Sequence, residues 1–143
     1  MKYSNVGKIL GGPKVLHKKI EDHYDLIELG EMGVTKNALL MLAKSLDFSL
    51  SQMAELLPIT ERTLQRYSTN KHFNKSLSEH ILQISIVVAK GLEVFGSKEK
   101  FLLWMNQPNT ALSNSIPINL VKSRFGSEMV MDELGRIEYG VIS

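Results

Sequence analysis

Apolar residues recur at helical spacing along nearly the whole chain. From Lys36 to Leu46, the residues Ala38, Leu39, Leu42, Ala43 and Leu46 lie three and four positions apart, so one helical face is apolar and the other polar. Thr35 stands just before them and can accept from the free amides of the first turn. Earlier, Gly11-Gly12-Pro13 breaks any opening helix. Val15, Leu16, Ile20, Tyr24 and Ile27 then form an approximate stripe that predicts a helix over Lys14–Leu29, ended by Gly30 and Gly33. No window alternates apolar and polar residues over a useful strand length, so the expected fold class is all-α.

The middle of the chain carries the sharpest local signals. Ser49-x-x-Gln52 has the form of a capping box, and Phe48 can pack on Met53 across it as a hydrophobic staple. The helix it starts runs through Ala54, Leu56 and Leu57 and stops at Pro58, whose ring cannot enter a helix interior. Thr60 caps another short helix, with Ile59 and Leu64 repeating the staple spacing. Two short helices joined by roughly three residues make a sharp corner. Ser68 to Ser78 then reads as a polar loop containing Lys71, His72 and Lys75.

Between Leu77 and Phe95 the apolar residues cover more than one stripe, which calls for a central helix buried on several sides. Ile81, Ile84, Val88 and Phe95 on its wide face are the candidate homodimer interface. Gly96 ends this helix, Ser97 can cap the next through Phe101, Leu102, Trp104 and Met105, and turn signals at Pro108-Asn109, Ser113 to Ser115 and Pro117 precede short helices over 117–123 and 127–138.

The corner has the layout of a helix-turn-helix, in which one helix braces a second whose polar residues enter the major groove of DNA. Small Ala54 lets the two helices approach, Ile59 fills the corner and Leu64 faces inward. Arg62, Thr63, Gln65 and Arg66 are the candidate base contacts, since arginine pairs bidentately with guanine and glutamine with adenine. Lys71 and Lys75 in the following loop suit phosphates. Charge agrees with this placement: residues 1–75 hold eleven Lys and Arg against eight Asp and Glu, whereas residues 76–143 hold six against seven.

Composition removes other classes. At 143 residues, with 43% apolar and 22% charged, the chain is long enough for one core shared by two lobes. Cysteine is absent, which excludes disulfides and thiolate metal sites and fits a cytoplasmic protein. The N-terminus has no apolar stretch of signal-peptide length, and the longest apolar run, Ile84 to Ala89, is far too short to span a membrane. His17, His23, His72 and His80 lack zinc-ligand spacing, Gly11-Gly12 follows no strand, and adjacent Asp132 and Glu133 point about 100° apart on a helix. No cofactor, metal or enzymatic activity is expected.

The stretch from Gly91 onward contains Phe95-Gly96, Trp104, Pro108-Asn109, Ala111-Leu112, Pro117, Leu120, Gly126, Val130, Leu134 and the run Arg136-Ile137-Glu138-Tyr139-Gly140-Val141. This ordered pattern closely resembles the toxin-binding domain of Xre/ParS-type antitoxins that pair with RES-domain toxins. Thr60-Glu61-Arg62-Thr63-Leu64-Gln65-Arg66 resembles the Xre-like helix-turn-helix that precedes it. The resemblance implies a type II antitoxin that blocks a RES toxin, an NAD-consuming enzyme, by occluding its active site with the C-terminal tail, and that represses its own operon by binding operator DNA. It implies Arg136, Glu138, Tyr139, Gly140, Val141, Ile142 and Ser143 as toxin contacts, with Trp104 organising the lobe's core.

The expected layout is a helical segment over 1–34, the helix-turn-helix over 35–76, and the central helix with the toxin-binding lobe over 77–143. Two departures from the family pattern stand out. Ser113-Asn114 replaces a glycine pair, and serine disfavours positive φ, so that turn is expected to differ. Pro58 stands where the corner usually has glycine. The rival readings are a helix-turn-helix regulator whose second half senses a small ligand, and an antitoxin that has lost DNA binding.

Overall fold

The computed structural model describes residues 3–140. The all-α expectation holds among them: ten α-helices and one 3₁₀ turn, with only two isolated bridges, Thr35 to His72 and Asn109 to Ser115. The chain opens with α1 (Tyr3–Ile9), α2 (Pro13–Leu16) and α3 (His23–Met32), followed by α4 (Lys36–Leu46), α5 (Leu50–Leu56) and α6 (Glu61–Arg66). The central α7 (Lys75–Phe95) leads into α8 (Lys98–Met105), the 3₁₀ turn Thr110–Leu112, α9 (Pro117–Leu120) and α10 (Arg124–Glu138).

Capping chemistry places most of these boundaries. Thr35, Thr60 and Ser97 each accept from the backbone amide three residues on, and Ser49 and Gln52 close the full reciprocal box. The expected helix over Lys14–Leu29 is instead two pieces. His17 takes a left-handed conformation (φ 56°) that ends α2, and Asp22 with Asp25 forms a second capping box that starts α3. Because the direction changes there, Leu16 and Ile20 are buried while Tyr24 and Ile27 are exposed. Residues 3–10 add a further helix before the Gly11-Gly12 break.

α7 is the spine. Helices α1, α3, α4, α8 and α10 all pack against it, and Ile81, Ile84, Val87 and Val88 are essentially inaccessible. This corrects the expected dimer interface: Ile81, Ile84 and Val88 are already covered by this chain's own helices, and half-buried Phe95 packs at tilted angles against Phe101 and Trp104. A wide apolar face signals burial on several sides without saying which chain supplies the cover. Trp104 is only half-buried, and Phe101 and Met105 hold the centre of the second lobe.

Two glycines allow the close approaches in that lobe. A β-carbon on Gly91 would fall inside the Phe101 ring, and one on Gly126 would overlap the Leu120 carbonyl oxygen. The turn at Ser113-Asn114 is left-handed at two non-glycine residues. Both residues adopt positive φ (56° and 64°), and the turn is held by amide-to-carbonyl bonds from Asn114 to Asn109 (2.8 Å) and from Asn109 to Ser115 (3.0 Å). No single helix among the described residues is long and apolar enough to cross a membrane.

Candidate functional site

Two regions have the geometry of recognition surfaces. The first is α6 with the segment that follows it. Leu64 is fully buried and anchors the helix, so Arg62, Thr63, Gln65 and Arg66 all face solvent. Among the described residues, Arg62 and Arg66 enter no ion pair. Thr63 closes the cap with Thr60, its hydroxyl 2.9 Å from the Thr60 hydroxyl, and the Gln65 amide donates to Glu61 Oε1 at 3.1 Å. The two arginines are therefore the groups left entirely available to an anionic partner, with Gln65 pre-set by its neighbour one turn back.

The segment after α6 is not the loose polar loop that its composition predicted. Lys36 Nζ donates to the Tyr67 carbonyl (2.9 Å), and the amides of Lys36 and Asn37, free because they open α4, donate to the carbonyls of Lys71 and Thr69. Phe73 is buried and stacks on Tyr67 with ring centroids 5.1 Å apart. The Phe73 amide donates to Val34, while buried Ser78 accepts from the Val34 amide and donates to the Phe73 carbonyl. Gly33, at φ 85°, lies so close that a β-carbon there would overlap the Phe73 carbonyl oxygen.

The strap presents the two loop lysines differently. Lys71 is exposed, its ammonium 5.8 Å from the Tyr67 ring. Lys75 belongs not to a loop but to the first turn of α7, which Asn74 caps, and it pairs with Glu31 at 2.8 Å. Donating that hydrogen bond to the Glu31 carboxylate holds the Lys75 ammonium above its ordinary pKa. A cation already paired has less to offer phosphate, so Lys75 is the weakest of the expected contacts.

The second region is the outer face and C-terminal end of α10. Two expected toxin contacts are engaged within the chain: Arg136 Nε donates to largely buried Glu133 at 2.7 Å, and Glu138 accepts from Lys90 Nζ at 2.6 Å. The second pair joins α10 to α7, with only 13% of the Lys90 side chain and 27% of Glu138 exposed. Pinned there, the helix ends at Tyr139, which is 81% exposed, and Gly140 takes a positive φ of 70°. Val141, Ile142 and Ser143 lie outside the described residues. Sequence reasoning could not find Lys90, because its partner is 48 residues away.

Three of the four histidine side chains make separate hydrogen bonds. His23 Nδ1 meets the Tyr3 hydroxyl, His72 Nδ1 meets the Gly33 carbonyl and His80 Nε2 meets the Val121 carbonyl, while His17 ends α2. Among the described residues no three His, Asp or Glu side chains are placed to hold a metal ion.

The helix-turn-helix segment and the C-terminal helices α8 to α10 are joined through the shared helix α7, against which the segment from Val121 through α10 lies between His80 and Lys90. Comparison with known proteins gives both parts a family. Residues 25–85 match the antitoxin Xre-like helix-turn-helix domain, and residues 90–140 match the antitoxin Xre/MbcA/ParS C-terminal toxin-binding domain. Among the chain's relatives are proteins named antitoxin Xre from Yersinia enterocolitica, 33% identical over 87 residues, and from Photorhabdus laumondii, 30% identical over 80 residues. These alignments cover 59% and 55% of this chain, and the chain spans 59% and 54% of the two relatives.

Proposed function

We propose that this chain is a type II antitoxin that binds and neutralises a RES-domain toxin and represses its own operon through α6. The observation that carries the reading is the coincidence of two family matches with two structural surfaces. The helix-turn-helix match contains the exposed Arg62 and Arg66, and the toxin-binding match ends where α10 projects Tyr139. The protein works by binding, not by catalysis. Its tail, from Tyr139 through Ser143, enters the NAD-consuming cleft of the toxin and excludes substrate.

On the DNA side, Arg62, Gln65 and Arg66 read base edges and Lys71 contacts phosphate. The operator is palindromic, and two copies of the chain bind its half-sites about one helical turn apart. The dimer contact lies on a surface other than the buried face of α7.

The test co-expresses the chain with the product of the adjacent gene, which this reading requires to be a RES-domain toxin. Full-length chain is expected to restore growth and form a purifiable complex, whereas a chain lacking Gly140–Ser143 folds, binds operator and fails to protect. Full protection by the truncated chain would overturn occlusion by the tail. Arg62→Ala with Arg66→Ala is expected to lower operator affinity about thirtyfold or more and to relax its sequence preference, because each arginine contact contributes roughly 1–3 kcal/mol. Unchanged affinity would remove α6 as the reader.

A further inference from the structure

Helix α10 carries an outward stripe that its packing does not use. At 100° per residue, Phe125, Met129, Asp132, Arg136 and Tyr139 fall within an arc of about 80°. Gly126, Ser127, Val130, Glu133 and Leu134 occupy the other side of the helix and are buried against α7 and α9. Phe125 is 79% exposed and Met129 44%. Single exposed apolar residues are ordinary on a protein surface, but two that stack at i and i+4 and continue in line to a third form a patch.

We propose that the outer stripe of α10, from Phe125 to Tyr139, is a docking surface for the same toxin that receives the tail. The toxin's footprint then begins some 21 Å before the tail, at 1.5 Å per residue over fourteen residues. This inference rests on the antitoxin reading and deepens it. Continuity argues for that occupant: the stripe lies within the toxin-binding match and runs along one helical face straight into the tail. The side chains also prescribe the partner's surface. An apolar groove takes Phe125 and Met129, a basic group faces Asp132, and an acidic group faces the part of Arg136 that stays open beside its bond to Glu133.

The arrangement explains why the expected contacts Arg136 and Glu138 are tied down within the chain. Lys90 and Glu138 fix the end of α10 to α7, so the stripe is presented as one rigid edge as far as Tyr139. A preorganised helix loses less freedom on binding than a loose tail, and a central aromatic anchor is the usual strong point of such a contact.

The experiment measures affinity between the full chain and the purified RES-domain toxin that the antitoxin reading requires as the adjacent gene's product, by calorimetry, together with the mass of each free chain by sedimentation. Phe125→Ser with Met129→Ser is expected to weaken binding at least tenfold while melting temperature and mass stay as in the parent. Tyr24→Ser, which removes an equally exposed aromatic from α3, is expected to leave binding unchanged. Undiminished binding by the double variant, alongside loss of protection on deleting 141–143, would overturn the docking stripe and leave the tail reading intact. Equal loss with Tyr24→Ser would also overturn it, as would a change in self-association with unaltered toxin affinity, which would assign the stripe to a second copy. If the parent chain does not bind the RES protein at all, the stripe and the antitoxin reading both fall.

Discussion

The two recognition regions are built in opposite ways. On α6 the residues that stand out in the sequence, Arg62 and Arg66, are the ones left exposed and unpaired, and the supporting work is done by Leu64, Lys36, Phe73 and Ser78. On α10 the charged residues that stand out, Arg136 and Glu138, are consumed in holding the helix, and the side chains left free are Phe125, Met129 and Tyr139. A surface meant for DNA keeps its charges loose because the partner supplies the counter-charge. A surface meant for protein can spend its charges on orientation and present apolar groups.

The comparison breaks most sharply at the glycines that hold each region in shape. Gly126→Ala forces a β-carbon against the Leu120 backbone, where no side chain can move aside, and is expected to cost about 3 kcal/mol or more. Gly33→Ala meets the Phe73 carbonyl and adds positive-φ strain, with a similar loss expected in the strap behind α6. Gly135, on the same helix as Gly126, has open space around its β-carbon position, so Gly135→Ala should stabilise by about 1 kcal/mol. Thermal melts of the three variants test the contrast. A harmless Gly126→Ala would mean that α9 and α10 are not locked together.

A second test separates contact from orientation at Glu138. Lys90→Glu is expected to weaken toxin binding roughly tenfold, the size of a partly buried ion pair lost and replaced by repulsion. Combining Lys90→Glu with Glu138→Lys restores the pair in reverse. Recovered binding in the double variant means that Glu138 acts by holding α10 in place. Continued weakness means that Glu138 touches the toxin directly, and α10 then resembles α6 more closely than the geometry indicates.

What the sequence made legible was local. Thr35, Ser49 with Gln52, Thr60 and Ser97 announced their helices because a cap acts within three residues of itself. Asp22 and Asp25 form the same kind of box, yet an apparent stripe running from Val15 to Ile27 hid it, and the stripe proved to be two helices facing different ways. Phe73 gave no signal: a lone aromatic in a polar segment has no period, and only the neighbouring Val34 and Ser78 explain its burial. The fate of Ile81, Ile84 and Val88 was likewise a tertiary matter. The motif residues on α6 were found because their role is to point outward. The α10 stripe was missed because no local motif singles out Phe125 or Met129.

A smaller effect is expected at the turn where the second lobe departs from its family's glycine pair. Ser113 holds φ 56° and is exposed, so Ser113→Gly relieves the left-handed strain without losing a contact. The net gain is about 0.5–1 kcal/mol, since glycine's greater freedom when unfolded takes back part of the relief. A rise in melting temperature with unchanged toxin affinity is the expected result. Loss of binding would show instead that the Ser113 side chain is itself a contact.

The gentlest probe reaches the base of the DNA-binding side. Asp25 accepts from the backbone amide of Glu21 and from the Lys18 ammonium, and these bonds, in that order, hold its carboxyl below the usual aspartate range. A depressed folded pKa means that the ionised form favours the folded state. The contribution is therefore complete above the ordinary aspartate value of about 3.9 and disappears as pH falls through the lower folded value. In the parent chain, stability should accordingly decline through that acid window by an amount that Asp25→Asn removes, while the variant's own curve starts lower at neutral pH. Because Asp25 closes the capping box of α3 and α3 packs on α7 behind the helix-turn-helix, protection of the α3 amides relative to the unfolded chain should fall on acidification before protection in α10 does. Simultaneous loss of protection in both helices would show that the two lobes open as one unit, and that their different construction leaves no difference in local stability.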